Sequence, residues 1–184
     1  MEGPLKTIFT RGLITKKIIL PVTNIGKNIK QTIETYLKAN YEGKCQIDGF
    51  IRPGSCNIIS YSCGTLFEGN KVSFDVVFDC YLCFPVEGML IECIAKNVTK
   101  AGVRCESNEF VPSPIVAFLA KEHHQGDKNF NAIKEGDKII VKVIGQRFEL
   151  NDPNVSIIGE LSRNPLQKLP PKTNSSSRKN KKNI

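Results

Sequence analysis

Cysteines, paired histidines and strand-spaced aspartates are the residues here that could carry metal, redox or acid–base chemistry. Cys80-x-x-Cys83 has the spacing of half a zinc site or of a thiol–disulfide motif, with Cys56 and Cys63 upstream. On a strand, residues three apart point to opposite faces, and no second pair stands at ligand spacing. The cysteines therefore read as small buried hydrophobes. His123 and His124 are adjacent in a polar stretch, where two neighbouring imidazoles do not converge on one ion, and both read as solvated. Asp75 and Asp79 share a strand face and could be paired carboxylates, but neither a nucleophile nor a glycine-rich phosphate loop accompanies them. An exposed strand face explains them, and the residues compose no active site, metal site or cofactor site.

A basic and aromatic set survives this sifting: Lys96, Asn97, Lys100 and Arg104, then Phe110, Lys142, Arg147 and Phe148. Cations that track a backbone and aromatics that stack on bases are what a small barrel needs to hold single-stranded nucleic acid. The same phenylalanines could equally be core, with the lysines serving only solubility.

The elements that must position this set follow from periodicity. Residues 13–22 read as a strand ended by Pro21, and Ile29, Ile33, Tyr36 and Leu37 follow helical spacing until Gly43. Strands are expected at 44–51, 56–62 and 71–84, the last with Val72, Phe74, Val76, Phe78, Cys80 and Leu82 on one face. That makes an α+β N-terminal domain over 1–84, one helix on a small antiparallel sheet. Met89 to Lys96 reads as a strand, Asn97–Lys100 as a turn, and Ala101 to Cys105 as a second strand with Gly102 where backbones come close. Asn108 to Val111 reads as a third, and 115–134 as irregular or briefly helical. Glu135-Gly-Asp opens the strongest strand, with Ile139, Val141 and Val143 on one face and Lys138, Ile140, Lys142 and Ile144 on the other. Val155 to Leu161 closes a five-stranded OB barrel over 85–162, whose longest connection falls between strands three and four.

Hydrophobic content of 40% and charged content of 24% are those of a globular chain, so disorder is confined to the ends. The net charge of +8 points towards an acidic partner, yet Arg163, Lys168, Lys172, Arg178, Lys179, Lys181 and Lys182 stand in 163–184 without one acid. That basic, Pro- and Ser-rich tail reads as disordered, and the body before it is nearly balanced. An odd cysteine count and no apolar leader indicate a reducing compartment, and no stretch is long enough to span a bilayer.

Ile29-Lys-Gln-Thr-Ile-Glu-Thr-Tyr-Leu37, Glu42-Gly-Lys-Cys45 and Gly49-Phe-Ile51 resemble the N-terminal tip domain of the seventh subunit of eukaryotic RNA polymerase II and its archaeal counterpart. Phe74 to Gly88 resembles that family's long strand crossing into its OB domain, and Ala101-Gly-Val103 its second barrel strand; the resemblance covers about residues 5–161. It implies a non-catalytic stalk subunit that pairs with a fourth-subunit-type partner, docks on the large catalytic subunits and meets nascent single-stranded RNA. Docking is expected from apolar residues in the loops of the tip: Ile58, Ile59 and Tyr61, with Leu66 and Phe67 in a turn flanked by Gly64 and Gly69. A shorter, more polar 107–134, the extra tail and the residue usage of an AT-rich genome suggest the polymerase of a large DNA virus, hence the virion and the cytoplasmic viral factory; a cellular subunit would be nuclear. A free-standing OB-fold RNA-binding protein, such as a translation factor or an exosome cap, would use the same barrel but need no tip domain.

Overall fold

The computed structural model describes residues 7–162. The expectation of a disordered tail lies outside them. The longest strand, β6 (Lys71–Cys83), is the spine of the N-terminal sheet. Strand β1 (Thr10–Pro21) runs antiparallel to it along its whole length, from Thr10 opposite Leu82 to Pro21 opposite Lys71. On the other edge of β6, β3 (Gly49–Ile51), β4 (Asn57–Tyr61) and β5 (Thr65–Phe67) pair one after another, and β2 (Cys45–Gln46) pairs with β3. Helix α1 (Ile29–Asn40) buries Ile33 and Leu37, four residues apart, in one core with Ile14, Ile18 and Leu20 of β1 and Val72, Phe74, Val76, Phe78 and Cys80 of β6. The alternation expected along 71–84 is the alternation observed. The helix stops where Tyr41 N–H bonds to Leu37 O at 2.9 Å and Gly43 turns the chain out at φ 72°.

Two expectations for this half need correction. Residues 44–51 are not one strand but a hairpin, β2 to β3, turning at Ile47-Asp48, with Cys45 opposite Phe50. Asp48-Gly49 carries the reason: Gly49 takes φ 118° and lies so close to Cys83 that a Cβ would stand 2.7 Å from its carbonyl oxygen. Leu66 and Phe67, expected in a turn, form a strand, and the turn lies after them at Gly69, φ 68°.

The second sheet is a closed barrel of β7 (Leu90–Val98), β8 (Gly102–Ser107), β9 (Ile115–Ala120), β10 (Lys138–Arg147) and β11 (Val155–Leu161). Its order around the wall is β7, β8, β9, β11, β10, with β9 and β11 parallel and the other neighbours antiparallel. This is an OB-like layout. Ile91, Cys93, Val103, Cys105, Leu119, Val141, Val143 and Ile157 fill the interior, with Ala95 and Ala117 where space is short. Ile139, Val141 and Val143 face in and Lys138, Lys142 and Ile144 face out, as the two-residue period requires.

The third barrel strand is β9, not 108–111, which forms bends before Pro112. Ile115-Val-Ala-Phe-Leu-Ala120 has helical propensity in its alanines and leucine, but burial of Ile115, Ala117 and Leu119 on alternate positions overrides it. Strand β7 also runs through Asn97 to Val98, so the expected turn shrinks to the residues before Gly102. Between β9 and β10 lie a 3-10 turn (Lys121–His124) and the short helix α2 (Lys128–Asn131), capped by Asp127 accepting from Asn129 N–H at 2.9 Å.

His124 is not solvated. It is buried, stacks on Phe130 with ring centres 4.2 Å apart, and bonds through both nitrogens, Nδ1 to Ala120 O at 2.8 Å and Nε2 to Leu161 N–H at 2.9 Å. A carbonyl on one side and an N–H on the other select the neutral tautomer protonated on Nδ1. His123 stays exposed.

The two sheets meet without a free linker. Ile8, Cys45, Phe50 and Cys83, all from the N-terminal half, belong to the barrel core. Cys45 pairs through its backbone with the β10–β11 loop, donating to Asp152 O and accepting from Asn151 N–H, both at 2.8 Å. Among the described residues no helix is long and apolar enough to cross a membrane.

Gly102 tests the barrel directly. A Cβ there would lie 2.2 Å from Leu119 O, across the β8–β9 ladder. Backbone cannot yield as a side chain can, so Gly102→Ala is expected to cost about 1–3 kcal/mol. The check is a lower urea midpoint with an unchanged slope, followed by far-ultraviolet circular dichroism.

Candidate nucleic-acid interface

The outer face of the barrel is assembled by register. Asn97 of β7 stands opposite Arg104 of β8, Arg104 opposite Phe118 of β9, and Phe118 beside Ile158 of β11. Their neighbours Val103, Cys105, Ala117, Leu119 and Ile157 point inward, so the row faces solvent, with Phe118 40% and Ile158 52% exposed. Lys96 sits at a β-bulge, where the ladder shifts between Ala95 and Asn97, and Lys100 lies in the β7–β8 turn. A groove of about 370 Å³ adjoins the row, lined by Lys96, Glu106, Asn108, Phe110, Val111 and Val116 among others.

Lys96, Asn97, Lys100 and Arg104 thus share one end of β7 and β8 and surround an exposed ring. Arg104 also pairs with Glu106 at 3.2 Å, half exposed, which tempers its charge without removing it from solvent. The arrangement offers cations for phosphates and an aromatic face for a base on the second and third strands of an OB-like barrel. Phe118 and Ile158 are absent from the set that the sequence offers, Phe118 because 115–120 does not read as a strand there and Ile158 because its strand neighbour Phe118 is thereby missed. The alternation of Val116 and Phe118 against Ile115, Ala117 and Leu119 is the signal that could have revealed them.

Of the other expected residues, Phe110 lines that groove and the rest lie elsewhere. Lys142 pairs with Glu160 at 2.9 Å and stands opposite Leu90, at the far end of β7 from Asn97, roughly 20 Å away along the strand. Arg147 pairs with Glu149 at 3.3 Å on that side. Phe110 and Phe148 are both half-buried and engaged by other side chains. Phe110 meets Phe9 edge to face at 5.7 Å, and the Arg52 guanidinium covers it at 5.0 Å while also reaching Phe9 and Tyr81. Phe148 packs against the barrel core and meets Phe84 at 6.0 Å. Both rings join the sheets, because the N-terminal half supplies partners that local sequence does not reveal.

The apolar residues expected to dock a partner divide. Ile58 is 5% exposed and belongs to the core under α1, so it is corrected to a core residue. Ile59, at a bulge in β4, Tyr61, Leu66 at 80% and Phe67 are exposed along β4 and β5, whose outer edge pairs with no other described strand. Leu66 and Phe67 are consecutive on a strand and point to opposite faces, so they cannot enter one pocket together.

Several other titratable groups are engaged within the fold. Asp79 bonds Arg11 through Nε at 2.8 Å and also through Nη2, and the guanidinium holds its carboxyl below the ordinary range; Asp75 stands opposite Lys17. Burial pushes the thiols of Cys83 and Cys105 up to about 12 and that of Cys45 to about 11. Among the described residues no group of three or more His, Cys, Asp or Glu side chains could hold a metal ion.

No family model matches the chain. A protein of Acanthamoeba polyphaga mimivirus, named provisionally as a DNA-directed RNA polymerase subunit, is 23% identical over 168 residues, covering 83% of this chain and 81% of its own length. Among solved structures, an uncharacterized protein of Methanocaldococcus jannaschii is 20% identical, with a TM-score of 0.34, over 46% of this chain and 99% of its own.

The reassignment of Phe110 separates joint from platform. Phe110→Ala should lower stability by about 1–3 kcal/mol, as loss of a packed ring does. Affinity for single-stranded RNA, read by anisotropy of a labelled oligonucleotide, should change by no more than about twofold.

Proposed function

We propose that this chain is a non-catalytic subunit of the multisubunit DNA-directed RNA polymerase of a large DNA virus, working as a stalk. In this role the N-terminal sheet docks on the large catalytic subunits, and the barrel holds RNA as it emerges. The observation that carries the reading is the similarity to a viral protein named provisionally as a polymerase subunit, which spans both sheets. Two features of the surface support it. The edge formed by β4 and β5 offers Ile59, Tyr61, Leu66 and Phe67 to a partner, and the row through Arg104 and Phe118 offers cations beside an aromatic face. Asp79 pairs with Arg11 and His124 bonds the backbone at Ala120 O, positions within the fold that are compatible with an accessory subunit. On this reading the chain pairs with a fourth-subunit-type partner, needs no cofactor, and works in the infected cell's cytoplasm and in the virion.

Two variants separate docking from RNA holding. Leu66→Ala with Phe67→Ala removes two exposed anchors, and a hot-spot residue cut to Ala costs about 2 kcal/mol or more. A tagged copy of this variant, purified from infected cells, should lose the large subunits while still binding single-stranded RNA. Retention at wild-type stoichiometry through a high-salt wash would refute the docking edge. Arg104→Ala with Phe118→Ala should do the opposite, weakening RNA binding by about 1–3 kcal/mol and leaving association with the large subunits intact. Wild-type affinity should fall with salt at a log–log slope of about −0.7 per phosphate, and Lys96→Ala, Lys100→Ala and Arg104→Ala together should flatten it. A free-standing RNA-binding protein would give the second result without ever bringing down the large subunits.

A further inference from the structure

Cys56 precedes β4 by one residue. The β4–β6 register, Asn57 opposite Asp79 and Ile58 opposite Phe78, carried back one step sets Cys56 opposite Cys80. Arg52 N–H donates to Tyr81 O at 2.9 Å and Tyr81 N–H donates to Ser55 Oγ at 3.2 Å, so Tyr81 turns its peptide groups to this edge. Backbone direction alternates along a strand, so Cys80 turns its own towards β1. Cys56 and Cys80 therefore face each other at a non-hydrogen-bonded site, where opposed Cα atoms stand about 4.5 Å apart. That lies within the separation of about 4.4–6.8 Å that a disulfide spans.

The two side chains lie close enough to perturb one another's titration. The proximity of the two thiols, with burial, raises the pKa of Cys56, and the neighbouring thiol lowers that of Cys80. The loop entering the site is held by Glu42, whose carboxylate accepts Gly54 N–H at 2.7 Å and Cys56 N–H at 3.0 Å. Cys80 is buried, while Cys56 is half-buried and is the sulfur nearer solvent. Cys45, Cys83, Cys93 and Cys105 are deep in the barrel core, and Cys63 is exposed.

We propose that Cys56 and Cys80 are a reversible redox pair that closes a cross-strand disulfide, stapling the start of β4 to β6. The oxidant is a low-molecular-weight disulfide of the glutathione class. The Cys56 thiolate attacks one of its sulfurs, forming a mixed disulfide and releasing one glutathione thiolate. The Cys80 thiolate then attacks Cys56 Sγ, breaking the mixed bond and releasing the second. Two electrons and the two cysteine protons pass to glutathione, and the protein gains one S–S bond. The staple fixes the edge that carries Ile59, Tyr61, Leu66 and Phe67, and it stands whether or not that edge docks a polymerase.

The test uses the full chain with Cys63→Ser, which removes the exposed thiol. The protein is equilibrated in glutathione buffers of rising oxidised fraction, quenched with acid, denatured, alkylated and mapped by peptide mass spectrometry. A Cys56–Cys80 linked peptide should grow with the oxidised fraction while Cys45, Cys83, Cys93 and Cys105 remain alkylated. The oxidised form should melt about 5–10 °C higher, reversed by dithiothreitol and absent from Cys56→Ser. The proposal fails if both cysteines stay alkylated at the most oxidising ratio, if glutathione stays attached to Cys56 as the end product, or if the linked form melts no higher.

Discussion

The backbone of β6 is occupied on both edges for most of its length, by β1 on one side and by β3, β4 and β5 in series on the other. A strand so committed cannot slip by one residue without turning Val72, Phe74, Val76, Phe78 and Cys80 out of the core and Lys71, Asp75 and Tyr81 into it. Its register therefore fixes everything paired to it. The helix has one apolar face to cover, β4 and β5 have one edge to join, and the chain leaves β6 at Cys83 already inside the barrel core. The hairpin at Gly49 approaches that point so closely that only a glycine fits, which ties the exit of the helix to the entrance of the barrel.

That junction makes the two halves act mechanically as one. Residues from the N-terminal half cap the barrel interior, Cys45 extends backbone pairing onto the β10–β11 loop, and Arg52 lies against Phe9, Tyr81 and Phe110, which come from three separate segments. A planar guanidinium can cover several rings while keeping part of its edge in water, which a lysine could not do as well. Of the two aromatics that composition offered as base-stacking candidates, Phe110 is covered in this way and Phe148 instead meets Phe84. The exposed edge at β4 and β5 and the row through Phe118 thus lie on two sheets that share packed core at their junction.

How far the sequence revealed this depended on the range of the forces involved. Helix α1, the face of β6, both faces of β10, the span of β11 and the close approach at Gly102 were legible, because each is written in a local period or in one residue's steric demand. Strand β9 was not, since Ala117, Leu119 and Ala120 favour helix locally and only the barrel wall makes them extended. The stretch 108–111 looked apolar enough to be a strand, yet Phe110 is turned towards Phe9 and Arg52 instead. His124 looked solvated because its two partners, Ala120 O and Leu161 N–H, include one that lies 37 residues away. The same gap hid Phe118, so the sequence named the cations of the row but not the exposed ring that stands among them.

Charge bears on what such an interface can do. The formal excess of +8 is mostly carried by 163–184, and on the body Arg104 is answered by Glu106, Lys138 by Glu92 and Lys142 by Glu160. Few phosphates can then be neutralised at the row of Lys96, Lys100 and Arg104, and one exposed ring adds about 1–3 kcal/mol by stacking. On the proposed reading, an isolated protein built this way would bind single strands weakly, too weakly to find RNA dispersed in a cell. Fixed to an enzyme from which RNA emerges, the same patch meets its ligand at an effective concentration that a short tether raises to about the millimolar range. There weak contact is sufficient, and it has the advantage of release as the transcript advances. Weak affinity on a nearly balanced body and a proposed docking edge on a rigidly joined sheet are therefore complementary requirements of one arrangement, in which attachment supplies the concentration and the barrel supplies only the grip.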